Sequence, residues 1–257
     1  MISDVRITFS DGSEADILRK AYPVGPYLMA GFAGSVRIGM TLIDHLQSSL
    51  LETMPLTNQA PKGYSFAFNP DTVAEDWSET AANIFSTMPD IERNLGSQVL
   101  IVGIDPVRNN GTPQFPYVHI AKLNYPKFKP EFSSQVGVAQ HIGSGSGIET
   151  FVSSIARHME HGADSFKANI GGPDSWAQML GHTVGRLVKD NPLNGIGNHV
   201  NIDVCQLGRF STGNNNEKTH YPDGRIVEFE MPPIAQSYEQ FLQQCKKLGR
   251  GAVGAIA

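Results

Sequence analysis

The sequence is poor in cysteine, in charged residues and in long apolar stretches. Cys205 and Cys245 are the two cysteines among its 257 residues, fewer than the disulfide frameworks of small secreted domains use. No stretch approaches the roughly 18 consecutive apolar residues that span a membrane. The first residues, MISDVRITFSDGSEAD, lack the basic and apolar segments of a signal peptide. These absences predict a cytoplasmic protein with free thiols and no membrane partner.

The charge balance argues against nucleic acid as a partner. The chain has 20 lysine and arginine residues against 25 aspartate and glutamate residues, a formal net charge of −5, so we expect no attraction to nucleic acid. Its content of 40% hydrophobic and 18% charged residues excludes disorder, which requires few apolar residues and a high net charge. Because no repeat and no shift of composition marks a linker, we expect a single domain over residues 1–257.

Several catalytic signatures are missing as well. There is no G-x-S-x-G nucleophile elbow, no Walker phosphate loop and no H-E-x-x-H zinc motif. Gly143–Gly147 has the spacing G-x-G-x-G between a predicted strand and a predicted helix. Its backbone N–H groups could hold a phosphate or an oxyanion, which leaves a nucleotide-binding oxidoreductase as a remote alternative. A tight strand-to-helix turn explains the same glycines equally well.

Three histidines flank this glycine-rich turn. His158 and His161 are three residues apart on a predicted helix, and His141 lies on the strand before it. Such spacing can hold a metal ion, but histidines near a helix end commonly lie in solvent and complement the helix dipole. We therefore predict neither a metal nor a cofactor.

Hydrophobic spacing predicts blocks of strands and blocks of helices. Apolar residues three and four apart predict the helices Ser35–Leu51, Asp71–Met88 with Asp71 as N-cap, Ile148–Met159, Ser175–Val188 and Tyr238–Leu248. Alternation or short apolar runs predict the strands Ile2–Phe9, Ile17–Tyr22, Tyr27–Phe32, Val99–Ile104, Tyr117–Tyr125, Val136–Ile142, Val200–Leu207 and Arg225–Phe229. Because helices and strands do not alternate one for one, the order favours an α+β fold of helices on antiparallel sheets.

This order also predicts which elements lie together. We expect Val99–Ile104 and Val200–Leu207 to be central strands, with Arg225–Phe229 beside the second of them. The first two helices should cover one sheet, and the next two should cover the other. Large residues such as Trp77, Phe85 and Trp176 are expected on exposed helix faces, and apolar patches of that kind mark subunit interfaces.

Four short motifs, in this order of elements, resemble the proteasome core-particle subunits and the HslV-type peptidases. They are Ser3–Thr8 (SDVRIT), Met29–Ser35 (MAGFAGS) before a helix, Ile142–Gly145 (IGSG) before another helix, and the turn Asn194–Gly197. The resemblance covers Met1 to about Leu207, so the residues from about 209 form a C-terminal extension. It implies the fold of N-terminal-nucleophile hydrolases, a four-layer αββα sandwich of two antiparallel sheets covered by helices.

The resemblance also implies a set of site residues. The chemistry of this family uses an N-terminal threonine whose free amine acts as base for its own hydroxyl. In this sequence Asp4 matches the first acidic residue of the family's site, and Ser144 matches the serine of its G-S-G turn. Gly34, Gly143 and Gly145 match its turn and oxyanion positions. The strand that carries the nucleophile is missing, since Met1 stands three residues before Asp4.

Other matching positions carry different residues. The family's lysine precedes an isoleucine, and in this sequence Asp16 precedes Ile17 while Lys20 is out of register. Asn191 and Asn194 stand where the family has a late aspartate and serine. We therefore expect a subunit that assembles with copies of itself as an oligomer or ring, has an assembly or regulatory role and does not cleave peptides. The alternative is a threonine-type or other N-terminal-nucleophile peptidase or amidase, a hydrolase of peptide or protein substrates, whose nucleophile lies upstream of Met1.

Overall fold

A computed structural model describes residues 1–25, 27–51, 70–105, 117–133, 139–167, 173–206 and 209–257. Its strands are β1 (Ile2–Asp4), β2 (Arg6–Thr8), β3 (Glu14–Asp16), β4 (Ala21–Gly25), β5 (Leu28–Gly34), β6 (Ser97–Asp105), β7 (Tyr117–Asn124), β8 (Lys129–Ser133), β9 (Val200–Gln206), β10 (Arg209–Asn214), β11 (Glu217–His220) and β12 (Ile226–Phe229). Its helices are α1 (Val36–Leu51), α2 (Pro70–Thr87), α3 (Asp90–Arg93), α4 (Glu149–Lys167), α5 (Pro173–Asp190) and α6 (Tyr238–Lys247). The predicted strand Val136–Ile142 lies partly outside the described residues, and residues 139–142 are not in a strand.

Five strands form the larger antiparallel sheet, in the order β4-β5-β6-β7-β8. The central strand β6 contains the apolar run VLIVGI. Its neighbours pair with it on both sides and helices pack on it, so apolar side chains are favoured along most of its length. Met29 lies opposite Val102, and Ile101 lies opposite Ala121. The prediction of Val99–Ile104 as a central antiparallel strand is confirmed.

The second sheet has β9 at its centre, between β1 and β10. The prediction that Arg225–Phe229 lies beside Val200–Leu207 is wrong, because β10 takes that place and β12 pairs with β11. Residues 213–224, before Arg225, contain the end of β10 and the whole of β11. A local hairpin pairing of β9 with β10 needs a shorter connection than the predicted pairing did.

The first predicted strand, Ile2–Phe9, is two strands that join different sheets. β1 pairs with β9, whereas β2 pairs with β3, and the switch occurs at the fully buried Val5. The backbone N–H groups of Ile17 and Leu18 both donate to Val5 O, at 2.9 and 3.0 Å. Ile17 and Leu18 lie in the connection between β3 and β4, and the strand predicted for Ile17–Tyr22 begins only at Ala21.

Helices cover both sheets. α1 packs on β4 and β5, and α2 packs on β6, β7 and β8. On the second sheet α5 packs on β9 and β10, while α4 packs on α5. The mixed class of helices on antiparallel sheets is thus confirmed. None of the described helices is long and apolar enough to cross a membrane.

Two of the residues expected at interfaces lie in the core instead. Trp77 and Phe85 are each 6% exposed, because α2 turns this face toward the larger sheet. The Phe85 ring packs on the rings of Tyr125 and Phe128, with centroids 5.8 and 5.6 Å away. α2 also begins one residue earlier than predicted, so Asp71 lies in its first turn and is not its N-cap.

Candidate functional site

A buried ion pair joins the end of β1 to the start of β4. Lys20 Nζ lies 3.0 Å from Asp4 Oδ1, and the two side chains are 6% and 20% exposed. Asp4 Oδ1 also accepts hydrogen bonds from the backbone N–H groups of Arg6, at 2.8 Å, and Gly197, at 3.3 Å. An ammonium group in this position can lower the proton affinity of a neighbouring nucleophile.

Sequence analysis placed Lys20 out of register with the lysine of the resembled family. In the structure Lys20 lies between two strands, because β3 ends at Asp16 and β4 begins at Ala21. The connection between these strands brings the side chain of Lys20 back to Asp4 on β1. The sequence did contain a signal, because Lys20 is a charged residue directly before an apolar strand.

Asp16 belongs to a neighbouring network of charges. Its carboxylate lies 2.8 Å from Arg6 Nε and 2.6 Å from His199 Nδ1. Burial acts to raise the pKa of Asp16, but the hydrogen bonds and charges of Arg6 and His199 outweigh burial and lower that pKa. The His199 ring in turn stacks on Phe229 at 4.4 Å. Asp16 is therefore a paired anion and is not an unbalanced charge at a lysine position.

The turn Asn194–Gly197 connects the ion pair to Ser144. Gly197 N–H donates to Asp4, and the backbone of Gly195 lies so close to Ser144 that an added Cβ would be 3.0 Å from Ser144 Oγ. An open cleft of about 600 Å³ lies above this turn. It is lined by Thr8, Gly12, Glu14, Ser144, Asn194, Gly195 and Ile256. Two of the residues selected from the motifs, Ser144 and Asn194, thus share one cleft.

The three glycines assigned to turn and oxyanion positions have different surroundings. Gly143 N–H donates to Gln98 Oε1 at 2.9 Å, which ties the glycine-rich turn to β6. A Cβ on Gly145 would lie 3.0 Å from the Phe151 ring, so this glycine allows close packing of α4. Gly34 N–H donates to a terminal oxygen of Ala257, the last residue of the sequence, at 3.1 Å. Of these three N–H groups, that of Gly34 thus binds the main chain of the C-terminal segment.

A second group of buried charges, which sequence analysis missed, lies at the other end of β1. Arg19 Nη2 is 2.5 Å from Asp203 Oδ1, and the amine of Met1 donates to Asp203 O at 2.6 Å. Burial raises the pKa of Asp203, although the charges of Arg19 and Met1 oppose it. Burial likewise lowers the pKa of the Met1 amine. The signal in the sequence was an aspartate inside the alternating apolar strand VNIDVCQ.

Of the three histidines near the glycine-rich turn, the side chain of His161 lies outside what the structure describes. His158 is exposed, and its Nδ1 lies 2.7 Å from Ser154 O. Burial and the charge of Lys122 lower the pKa of His141. The described side chains form no group of three or more histidine, cysteine, aspartate or glutamate residues that could hold a metal ion.

The sequence of this chain matches no family model and no curated protein. Its function is therefore inferred from the chemistry of the site. That site has a lysine–aspartate pair next to an edge strand, the Gly34 N–H group that binds the last residue of the sequence, and a cleft lined by Ser144, Asn194 and Ile256. β1 is one of the two edge strands of its sheet among the described strands, and an edge strand can accept a further strand.

Proposed function

We propose that this chain is a proteasome-like or HslV-like subunit with the four-layer αββα fold of N-terminal-nucleophile hydrolases, and that residues 1–257 act as an assembly or regulatory member. The fold proposal is supported by two antiparallel sheets that contact each other through β6 and β9, with helices packed on each. The observation that carries it is the pair of Asp4, at the end of β1, and the buried Lys20, directly before β4, since the resemblance assigns an acidic residue and a lysine to this part of the fold.

The non-catalytic role is supported by the chemistry around this pair. The hydrogen-bond partner of Lys20 Nζ is the Asp4 carboxylate, which cannot attack a peptide in the manner of a hydroxyl or thiol. The Ser144 hydroxyl lies in the cleft at the Gly195 turn, not against Lys20 Nζ.

Self-assembly is supported by an apolar face on α5. Trp176 is half-buried, and Met179 is 50% exposed one helical turn later. Residues three apart on a helix share a face, and a contiguous exposed apolar patch commonly marks an interface. The partner we propose is a further copy of this chain.

Light scattering after size exclusion tests the assembly. We expect a mass of several chains at micromolar concentration, and a shift toward one chain in Met179→Glu. Leu242→Glu on α6, where the leucine is 42% exposed, is the matched control and should leave the mass unchanged. A monomeric wild-type chain would contradict the assembly role.

Turnover of fluorogenic peptides and labelling by an epoxyketone directed at N-terminal threonine test the absence of activity. We expect neither in the purified 257-residue chain. A covalent adduct on any of its residues, or cleavage that the epoxyketone inhibits, would overturn the non-catalytic role.

A second candidate is a peptidase or amidase whose nucleophile lies upstream of Met1. The intact Asp4–Lys20 pair favours it, as does the position of β1 at the edge of its sheet. The in-frame genomic sequence before Met1 would then encode a threonine, serine or cysteine. A chain extended to that residue should cleave peptides and lose this activity in Lys20→Ala. The exposed Lys218→Ala on β11 is the control, and equal activity of the two variants would exclude this candidate.

A further inference from the structure

Residues 254–257 form a segment, extended from Ala255 onward, between two separate parts of the chain. Ile256 exchanges both of its backbone hydrogen bonds with Thr8, each 2.9 Å long. Ala257, the last residue of the sequence, donates its N–H to Gly34 O at 2.8 Å, and one of its terminal oxygens accepts from Gly34 N–H at 3.1 Å. Val36 N–H donates to Ala255 O at 2.9 Å. Three residues thus make five backbone hydrogen bonds to two walls, which is how an added strand is held in a groove.

The side chains of this segment alternate as those of a strand do. Ala255 and Ala257 are 1% and 7% exposed and belong to the hydrophobic core. Between them, Ile256 is half-buried and lines the open cleft that also contains Ser144. The buried positions hold methyl groups, so the groove is shaped for small side chains at every second residue and admits a larger one between them.

A buried carboxylate holds the start of the segment. Glu92 is 1% exposed. Its Oε1 accepts a hydrogen bond from Gly254 N–H at 3.1 Å, and its Oε2 accepts one from Ser35 Oγ at 2.6 Å. A buried acceptor that lost the Gly254 N–H would need another donor, so the groove recognises a backbone N–H at this position.

The segment is joined to the rest of the chain by an exposed connection. Leu248 and Val253 are 49% and 52% exposed, and Gly249 and Gly251 between them are exposed as well. Arg250 forms an ion pair with Asp11 on the surface. A short strand that is held mainly by backbone hydrogen bonds and follows an exposed connection belongs to the parts of a protein that open locally at low cost.

We propose that residues 254–257 are an intramolecular ligand that closes a strand-accepting groove between Thr8 and Gly34–Val36. In the closed state they exclude other peptides, because every backbone donor and acceptor of both walls that a peptide would use is taken. When they leave, the groove accepts an extended peptide with small residues at alternate positions. This assignment rests on the bonds of the segment and holds whether or not the chain is a hydrolase.

The test measures binding of a fluorescein-labelled peptide with the sequence VGAIA, that of residues 253–257, by fluorescence anisotropy. A chain that ends at Val253 should bind it saturably. The full chain should bind it at least about tenfold more weakly, because a short tether gives the internal segment an effective concentration in the millimolar range. Replacing both alanines of the peptide by leucine should abolish binding, whereas Ile256→Val in the peptide should preserve it.

A second variant covers the case in which the shortened chain does not fold. A protease site placed in the exposed connection at residues 249–252 allows the segment to be cut after folding. Native mass spectrometry should then show exchange of the cut fragment for excess labelled peptide. A folded, shortened chain that does not bind the peptide, or a cut chain that never exchanges its fragment, would overturn the proposal.

Discussion

Removing one partner of the Asp4–Lys20 pair should cost stability unequally. The Lys20 side chain is 6% exposed, whereas that of Asp4 is 20% exposed. Asp4→Ala leaves a buried ammonium without its carboxylate and removes the acceptor of the Arg6 and Gly197 N–H groups. Breaking a buried pair in this way costs about 3 kcal/mol or more.

Replacing the lysine instead of the aspartate should cost less stability. In Lys20→Met, the Asp4 carboxylate keeps two backbone donors and its contact with water, and methionine fills much of the space of the lysine stem. A loss of about 1–2 kcal/mol is expected, since what is removed is one hydrogen bond to a charged group. The double variant should be more stable than Asp4→Ala alone, because it has no unpaired buried charge.

Urea unfolding followed by far-UV circular dichroism measures all three variants. The midpoint should fall most for Asp4→Ala at an unchanged denaturant slope. Lys218→Met, at an exposed pair with Glu228, is the control and should not move the midpoint measurably. Equal losses for the two single variants, or a larger loss for Lys20→Met, would refute the asymmetry of burial on which the expectation depends.

Three further outcomes are expected. Because burial and the Lys122 charge lower the pKa of His141 below its ordinary 6.5, the folded chain should lose stability as the pH falls below about 6.5, and His141→Gln should reduce this loss in urea titrations. Gly34→Ala should cost more than about 3 kcal/mol of unfolding free energy, because φ of Gly34 is +96° and an added Cβ would lie 2.5 Å from a backbone oxygen. Gly12→Ala is the comparison: φ of Gly12 is +79° but the space around it is open, so the cost should be only about 1–2 kcal/mol. Burial raises the pKa of Cys205 to about 12, so iodoacetamide should label it far more slowly in the native chain than in urea, as read by mass spectrometry.

Long elements with one strong period were predictable from sequence. The helices predicted over Ser35–Leu51 and Ser175–Val188 match α1 and α5 closely, and the apolar run of β6 matches the predicted strand. In these cases the period is local, and one face of the element is buried. α4 extends to Lys167, beyond the predicted end at Met159, since the apolar spacing stops before the helix does.

Pairing and exposure were not predictable in the same way. The alternation of Ile2–Phe9 is the same in β1 and β2, so no local pattern marks the residue where the chain changes sheets. The face of α2 that carries Trp77 and Phe85 is apolar whether a sheet or another subunit covers it. Contacts with residues far along the chain decide which sheet each strand joins and what covers the apolar face of α2.

The same distinction between local patterns and distant contacts applies to the site residues. Ser144 and Asn194 were found from short motifs, because each lies on a turn whose glycines are visible in sequence, and both line the cleft. The contact of Lys20 with Asp4 was not predicted, because it depends on how two sheets are joined. The groove for residues 254–257 was missed as well, since backbone hydrogen bonds between distant segments leave little trace in side-chain patterns.

The ion pair and the groove are held in register by the pairing of β4 with β5. Phe32 N–H donates to Lys20 O at 3.0 Å, and Gly34 follows two residues later along β5. On the other wall, Asp4 precedes Thr8 by four residues, with Val5 anchored between them. The Gly34 N–H group, which binds Ala257, and the Lys20 ammonium are therefore positioned by the pairing of β4 with β5. Displacing residues 254–257 would empty the groove while leaving the hydrogen bonds of Asp4 and Lys20 intact, so peptide binding and the stability of the ion pair can be perturbed separately.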